Sequence, residues 1–139
     1  MRSEVLGVKQ LTLNWRIHGM NKRTHHRLKV WQKSVELVSH IYTVTKNFPR
    51  EEIYCLTDQM HRSAISIPSN IAEGAARTTT REFLNFLSMA RGSLSELETQ
   101  IIICQQLGYM ERDNDIDEKV EEIFGLLGGL MKSVREKEE

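Results

Sequence analysis

Residues 79–108 read TTREFLNFLSMARGSLSELETQIIICQQLG, and this stretch decides the fold. Phe83, Leu87, Ala90, Leu94, Leu97, Ile101 and Cys104 recur at spacings of four and three, one unbroken heptad seam. Thr79 and Glu82 have capping-box spacing at its front, and Gly108 is a stop signal behind it. A seam of that length, ~33 Å at ~1.5 Å per residue, needs other helices to cover it.

Those partners are found on either side. Residues 27–47 read as a first helix with two apolar stripes. One is Leu28, Trp31, Val35, Val38 and Tyr42; the other is Val30, Leu37, Ile41 and Val44. A helix apolar over so much of its girth needs burial on two sides, the second expected at a subunit interface. A second helix is expected from Pro49 to Ala76, kinked at Pro68. Ile53, Leu56, Met60, Ala64, Ile67, Ile71 and Ala75 stay in phase across the proline, which favours a kink over a loop. After an acidic connection at 111–115, a fourth helix is expected, capped by Asp115 and Glu118. Its seam is Ile116, Val120, Ile123, Leu127, Leu130 and Val134. Gly92, Gly125, Gly128 and Gly129 weaken helices, so close packing of a neighbour is expected at each. Four helices with short connections predict an all-α, antiparallel up-down four-helix bundle.

The 139 residues hold 8 Gly and 2 Pro, too few for a turn-rich β fold. The bundle domain is expected over 25–135, with a frayed tail at 136–139. Residues 1–24 read as an N-terminal arm, disordered or an over-extended start, because their pattern does not join the helices and Met20 offers a second start. Formal net charge is zero, but residues 1–50 hold ten Lys and Arg against two Asp and Glu, and the remainder nine against seventeen. A local basic patch is therefore compatible with overall neutrality. Cys55 and Cys104 are too few and too far apart for a metal motif, and read as reduced core thiols of a cytoplasmic protein. No apolar run approaches the ~20 residues of a membrane span.

Catalytic signatures are missing. There is no Gly-x-Ser-x-Gly, Walker loop or Gly-x-Gly-x-x-Gly. A di-iron bundle needs two Glu-x-x-His pairs; the nearest approaches are Asp58-x-x-His61 and Glu36 with His40. The expectation is a protein without catalysis, metal or cofactor.

The distinctive feature is polar residues inside apolar helices. One cluster is Ser66-Ile67-Pro68-Ser69-Asn70-Ile71-Ala72-Glu73-Gly74. The other is Ala90-Arg91-Gly92-Ser93-Leu94-Ser95-Glu96-Leu97-Glu98. Ser66, Asn70, Glu73, Arg91, Gly92, Ser93 and Glu96 read as a structural polar network, with Arg91 reaching Glu73 on the facing helix. On that reading Arg91→Ala disrupts folding or assembly. A ligand contact at Asn70, Glu73 and Arg91 is the alternative.

With the Leu28-Lys29-Val30-Trp31-Gln32-Lys33 run, Phe48-Pro49, Gln59-Met60-His61-Arg62-Ser63-Ala64 and Glu82-Phe83-Leu84, these clusters resemble the bacterial four-helix bundle family named for the 23S rRNA intervening sequence protein. The resemblance covers about 25–135. It implies a homopentameric ring, and kinship to the accessory protein of diversity-generating retroelements, which binds a reverse transcriptase and nucleic acid through a basic surface. Where the family often has two adjacent basic residues, this chain has His61-Arg62, a weaker patch because His is mostly neutral at pH 7.

Lys29, Lys33, Arg62, Arg77 and Arg81 are therefore the candidate nucleic-acid contacts. Arg77 and Arg81 flank the N-terminus of the third helix, where free N–H groups favour phosphate. The alternative for the basic residues is ordinary solvated charge. Aromatic residues are 6% of the chain, so stacking platforms are scarce and binding would be dominated by the nucleic-acid backbone. The leading expectation is an oligomer that binds structured RNA, DNA or a ribonucleoprotein. The alternative is a protein–protein adaptor, for example an accessory subunit of a reverse transcriptase.

Overall fold

The computed structural model describes residues 23–137. The N-terminal arm expected over 1–24 and the last two residues of the expected tail fall almost wholly outside them. The described chain is all-α, with four long helices and no strand among the described residues. They are α1 (Lys29–Thr45), α2 (Leu56–Ala75), α3 (Thr80–Gln106) and α4 (Asn114–Glu136). Single 3-10 turns precede α1 (Thr24–Arg27) and α2 (Arg50–Glu52). Each helix packs on the next and α4 closes back on α1, so four apolar faces enclose one core.

The core follows the helical periods. Leu87, Ala90, Leu94, Leu97 and Cys104 on α3 are fully buried. Met60, Ala64, Ile67 and Ile71 on α2 are too, and that helix runs unbroken through Pro68. On α1 it is the stripe of Val30, Leu37 and Ile41 that enters the core, while Trp31 and Val38 pack at its margin and Tyr42 is exposed. The α4 seam departs from its heptad at the end: Met131, not Leu130, is buried beside Val134. A straight helix drifts ~20° per heptad, which carries the buried position one residue on.

The helix starts differ from expectation. The chain after Pro49 makes a 3-10 turn, and α2 begins only at Leu56. The Glu52 carboxylate accepts from the Leu56 N–H at 3.3 Å, closing that start, while Ile53, Tyr54 and Cys55 are left exposed. Cys55 is therefore not a core thiol. Cys104 is, with its Sγ 3.3 Å from Met60 Sδ, and burial pushes its thiol up to about 11. The cap of α4 is Asp113 rather than Asp115: its Oδ1 accepts from the Ile116 N–H at 3.1 Å. The α4 helix extends to Glu136. Thr79 Oγ1 accepts from the Glu82 N–H at 3.2 Å and caps α3, and Gly108 ends the following turn with φ 78°.

The close helix approach expected at Gly92, Gly125, Gly128 and Gly129 is not made among the described residues. A Cβ added at any of them would meet nothing within 4 Å. Gly74 is where backbone packs tightly: its Cβ would lie 2.7 Å from Phe86 Cβ and 3.3 Å from the Phe83 carbonyl oxygen. Small size is used where α2 turns into α3, and the other four glycines face open space.

Candidate nucleic-acid interface

The Gly74 contact sets the α2–α3 turn, and the turn sets two of the candidate cations. The Arg77 N–H bonds to the Gly74 carbonyl at 3.1 Å, and three threonines lead into α3. Arg77 lies 4.8 Å over the Phe86 ring and donates to Glu73 Oε1 at 3.0 Å. Arg81 sits exposed in the first turn of α3, two residues past the Thr79 cap. The positive dipole end of α3 and these two guanidiniums thus share one short turn.

The other candidates are distributed differently. Lys33 lies on α1 with Glu122 at 3.8 Å and Glu36 at 3.7 Å, and Lys29 is 4.0 Å from Glu122. Arg62 is on α2, its side chain 81% exposed, bound to Asp58 one turn back at 3.1 Å. Four of the five candidates therefore lean on a carboxylate. Where both side chains are exposed, as at Arg62–Asp58 and Arg77–Glu73, such pairs are worth ~0–1 kcal/mol.

Of the polar network, three members meet. Ser66 Oγ and Ser93 Oγ are 2.8 Å apart across the α2–α3 contact, and Asn70 Nδ2 donates to Ser66 Oγ and to the Ser66 carbonyl, each at 2.9 Å. Glu73 and Arg91 do not meet. Glu73 is taken by Arg77 on its own helix, and Arg91 points to solvent one position beyond the buried Ala90. Gly92 and Glu96 share that exposed face, where Glu96 receives only a long bond from Gln100 at 3.4 Å. The Arg91–Glu73 bridge is thus corrected to an i, i+4 pair, Glu73–Arg77.

Sequence reasoning missed what His61 does. Its ring stacks on Tyr42, centroids 3.7 Å apart and 11° from parallel. Thr45 Oγ1 donates to the Ile41 carbonyl at 2.9 Å and is hydrogen-bonded to His61 Nε2 at 2.8 Å. Burial lowers the His61 pKa and Asp58 opposes the shift only in part. His61 is thus a helix-pairing group between α1 and α2, not half of a basic pair. His40 plays the same part between α1 and α4, 3.3 Å from the capping carboxylate of Asp113. Lys132 and Arg135, which sequence reasoning did not single out, lie in the last turns of α4, and Lys137 follows as its C-cap.

Among the described residues no three His, Cys, Asp or Glu side chains gather as a metal group, and no helix is long and apolar enough to cross a membrane. No match is found among curated proteins. The sequence profile of the family described as 23S rRNA-intervening sequence protein matches residues 26–129, from the turn before α1 into the last part of α4. With three-quarters of its length inside that profile and four helices packed in a closed cycle, the chain belongs to the 23S rRNA-intervening sequence protein family.

Proposed function

We propose that this is a non-catalytic, cytoplasmic, oligomeric bundle that binds the phosphate backbone of structured RNA or a ribonucleoprotein through one basic end. The observation that carries the reading is the segregation of charge along the bundle. Gly74–Phe86, Ser66–Ser93 and Met60–Cys104 step in opposite directions along α2 and α3, as Lys33–Glu122 and His40–Asp113 do along α1 and α4. These pairs support an antiparallel up-down arrangement. In that arrangement Arg23, Arg27 and Lys29, then Arg77 and Arg81, then Lys132, Arg135 and Lys137 gather at one end, against Glu73, Glu82 and Glu136. Glu51, Glu52, Asp58 and the acidic stretch from Glu111 to Glu121 fall toward the other and outnumber Lys46, Arg50, Arg62, Arg112 and Lys119 there, while Glu122 lies beside Lys29 and Lys33. Overall neutrality conceals a bundle with a cationic end.

A homopentameric ring fits this reading, since it would repeat the basic end and multiply weak binding by avidity. Exposed Ile65 and Met89, and the open glycines of α4, leave room for a neighbouring copy. The test is titration of nuclease-treated protein onto fluorescent structured RNA and duplex DNA across a salt series. Binding whose log K falls steeply with log salt is expected; no binding to either at low salt removes the reading.

A second reading, docking of a protein partner, has its own observation. Tyr54 is 92% exposed, with Ile53 and Leu107 also exposed nearby in the fold. The Tyr109–Glu52 bond of 3.2 Å ties the end of α3 to the start of α2, so these side chains share the end opposite the cations. Large aliphatic and aromatic groups in water suit a protein, not a phosphate backbone.

A further inference from the structure

Between α3 and α4 runs a groove of about 400 Å³. Its exposed apolar part is Ile102, above the buried edges of Ile101 and Val120; its carboxylates are Glu98, Asp117 and Glu121, and Gln105 and Arg112 complete the lining. The spacing explains why they meet. Glu98, Ile101 and Ile102 stand at i, i+3 and i+4 on α3, as Asp117, Val120 and Glu121 do on α4, so each helix offers one apolar-and-acidic face to the same groove. Ile102 is 52% exposed, a large aliphatic side chain held in water between carboxylates. Asp117 has a cation in this chain, Arg112 at 3.5 Å, on an exposed and easily displaced pair. Among the described residues, Glu98 and Glu121 have none within 4.0 Å.

We infer that this groove docks a cationic amphipathic helix of a protein partner. An aliphatic side chain of that helix lies on Ile102, and its Lys or Arg side chains face Glu98, Glu121 and Asp117. The choice of occupant follows from charge: the carboxylates repel a phosphate backbone and an anionic lipid surface alike, and the aliphatic floor gives a purely polar cation nothing to bury. An amphipathic helix satisfies both, its anchors at i, i+3 and i+4 matching the two helical faces that form the groove. The inference rests on the protein-docking reading and is independent of the RNA one.

The test uses three fluorescent synthetic helices of about five turns, read by anisotropy against the full chain. One has a Leu stripe flanked by Lys and Arg, one the same stripe flanked by Glu, and one Lys and Arg without the Leu stripe. Only the first is expected to bind. Glu98→Lys with Glu121→Lys, and separately Ile102→Asp, should each weaken it about tenfold or more. The milder Glu98→Gln with Glu121→Gln should weaken it in the same direction, and covers the case in which charge reversal upsets folding as read by circular dichroism. Binding of the first peptide that these variants leave unchanged overturns the groove while leaving the docking reading in place. Failure of all three peptides to bind overturns the groove proposal and leaves the docking reading, which stands on Tyr54, Ile53 and Leu107, in place. A change in oligomer size with the same variants, measured by light scattering, would make the groove a contact between copies and also overturn the proposal.

Discussion

A Cβ on Gly74 would sit 2.7 Å from Phe86 Cβ, closer than two such carbons can approach. This close approach seats the end of α2 against the first turns of α3 and so holds Arg77 over Phe86. Gly74→Ala should therefore destabilise the bundle by about 1–3 kcal/mol, the usual penalty of overpacking. Gly92→Ala, where nothing lies within 4 Å, should instead stabilise it by about 0.5–1 kcal/mol through helix propensity. Chemical denaturation of the two variants checks both signs; equal effects would contradict the packing described.

Ser66 and Ser93 share a bond of 2.8 Å, and Asn70 donates to the first of them. Removing either hydroxyl leaves the other group under-satisfied in a part-buried site, at a cost of about 0.5–1.5 kcal/mol. The double replacement by Ala should cost less than the sum of the single ones, because both hydroxyls leave together. A double-mutant cycle in urea measures the coupling, and strict additivity would mean that the bond contributes nothing.

Arg91→Ala is expected to change stability by less than about 0.5 kcal/mol, since the side chain is on the surface and Glu73 is bound to Arg77. Thermal unfolding of the variant checks this. A loss of several kcal/mol would restore the inter-helix bridge that the sequence suggests and the structure does not contain.

His25, His40 and His61 all have pKa values lowered from 6.5, with burial as the largest cause. For His40, the carboxylates of Asp113 and Asp115 pull upward while Lys119 adds to the lowering. The unfolded chain then takes up protons before the folded one. The stability these groups contribute is present above about pH 6.5 and is lost as pH falls through their lower folded values. Urea midpoints should decrease from about pH 7 to pH 5.5, and His61→Gln should flatten that slope. A midpoint that rises on acidification over this range would contradict the burial of these rings.

The α3 seam was legible because one period runs its whole length and nothing interrupts it: Leu87 through Cys104 enter the core as read. The in-phase faces of α2 across Pro68 were legible for the same reason. The start of α2 was not, because Pro49, Glu51 and Glu52 suit a 3-10 turn as well as a helix start, and the exposure of Ile53 and Tyr54 has no local signal. The error at Arg91 was one of rotation. A residue next to a seam position lies about 100° round the helix, outside the core, and a nearer i, i+4 partner takes Glu73 first. Of the candidate cations, Arg77 and Arg81 were legible from a turn, whereas Lys132 and Arg135, far away in sequence, enter the proposal only through an antiparallel arrangement of the helices.

The central claim is that the α2–α3 turn and the last turn of α4 together form a phosphate-binding end. Charge reversal there, Arg81→Glu with Arg135→Glu, should be compared with Arg62→Glu, whose exposed guanidinium is bound to Asp58 on α2. The measurement is the slope of log K against log salt for structured RNA with each variant beside the unaltered protein. Reversal at the basic end should weaken binding and make the slope shallower by about one for each phosphate no longer neutralised, with little change for Arg62→Glu. Equal losses from both variants, or an unchanged slope with the basic end reversed, would contradict the claim.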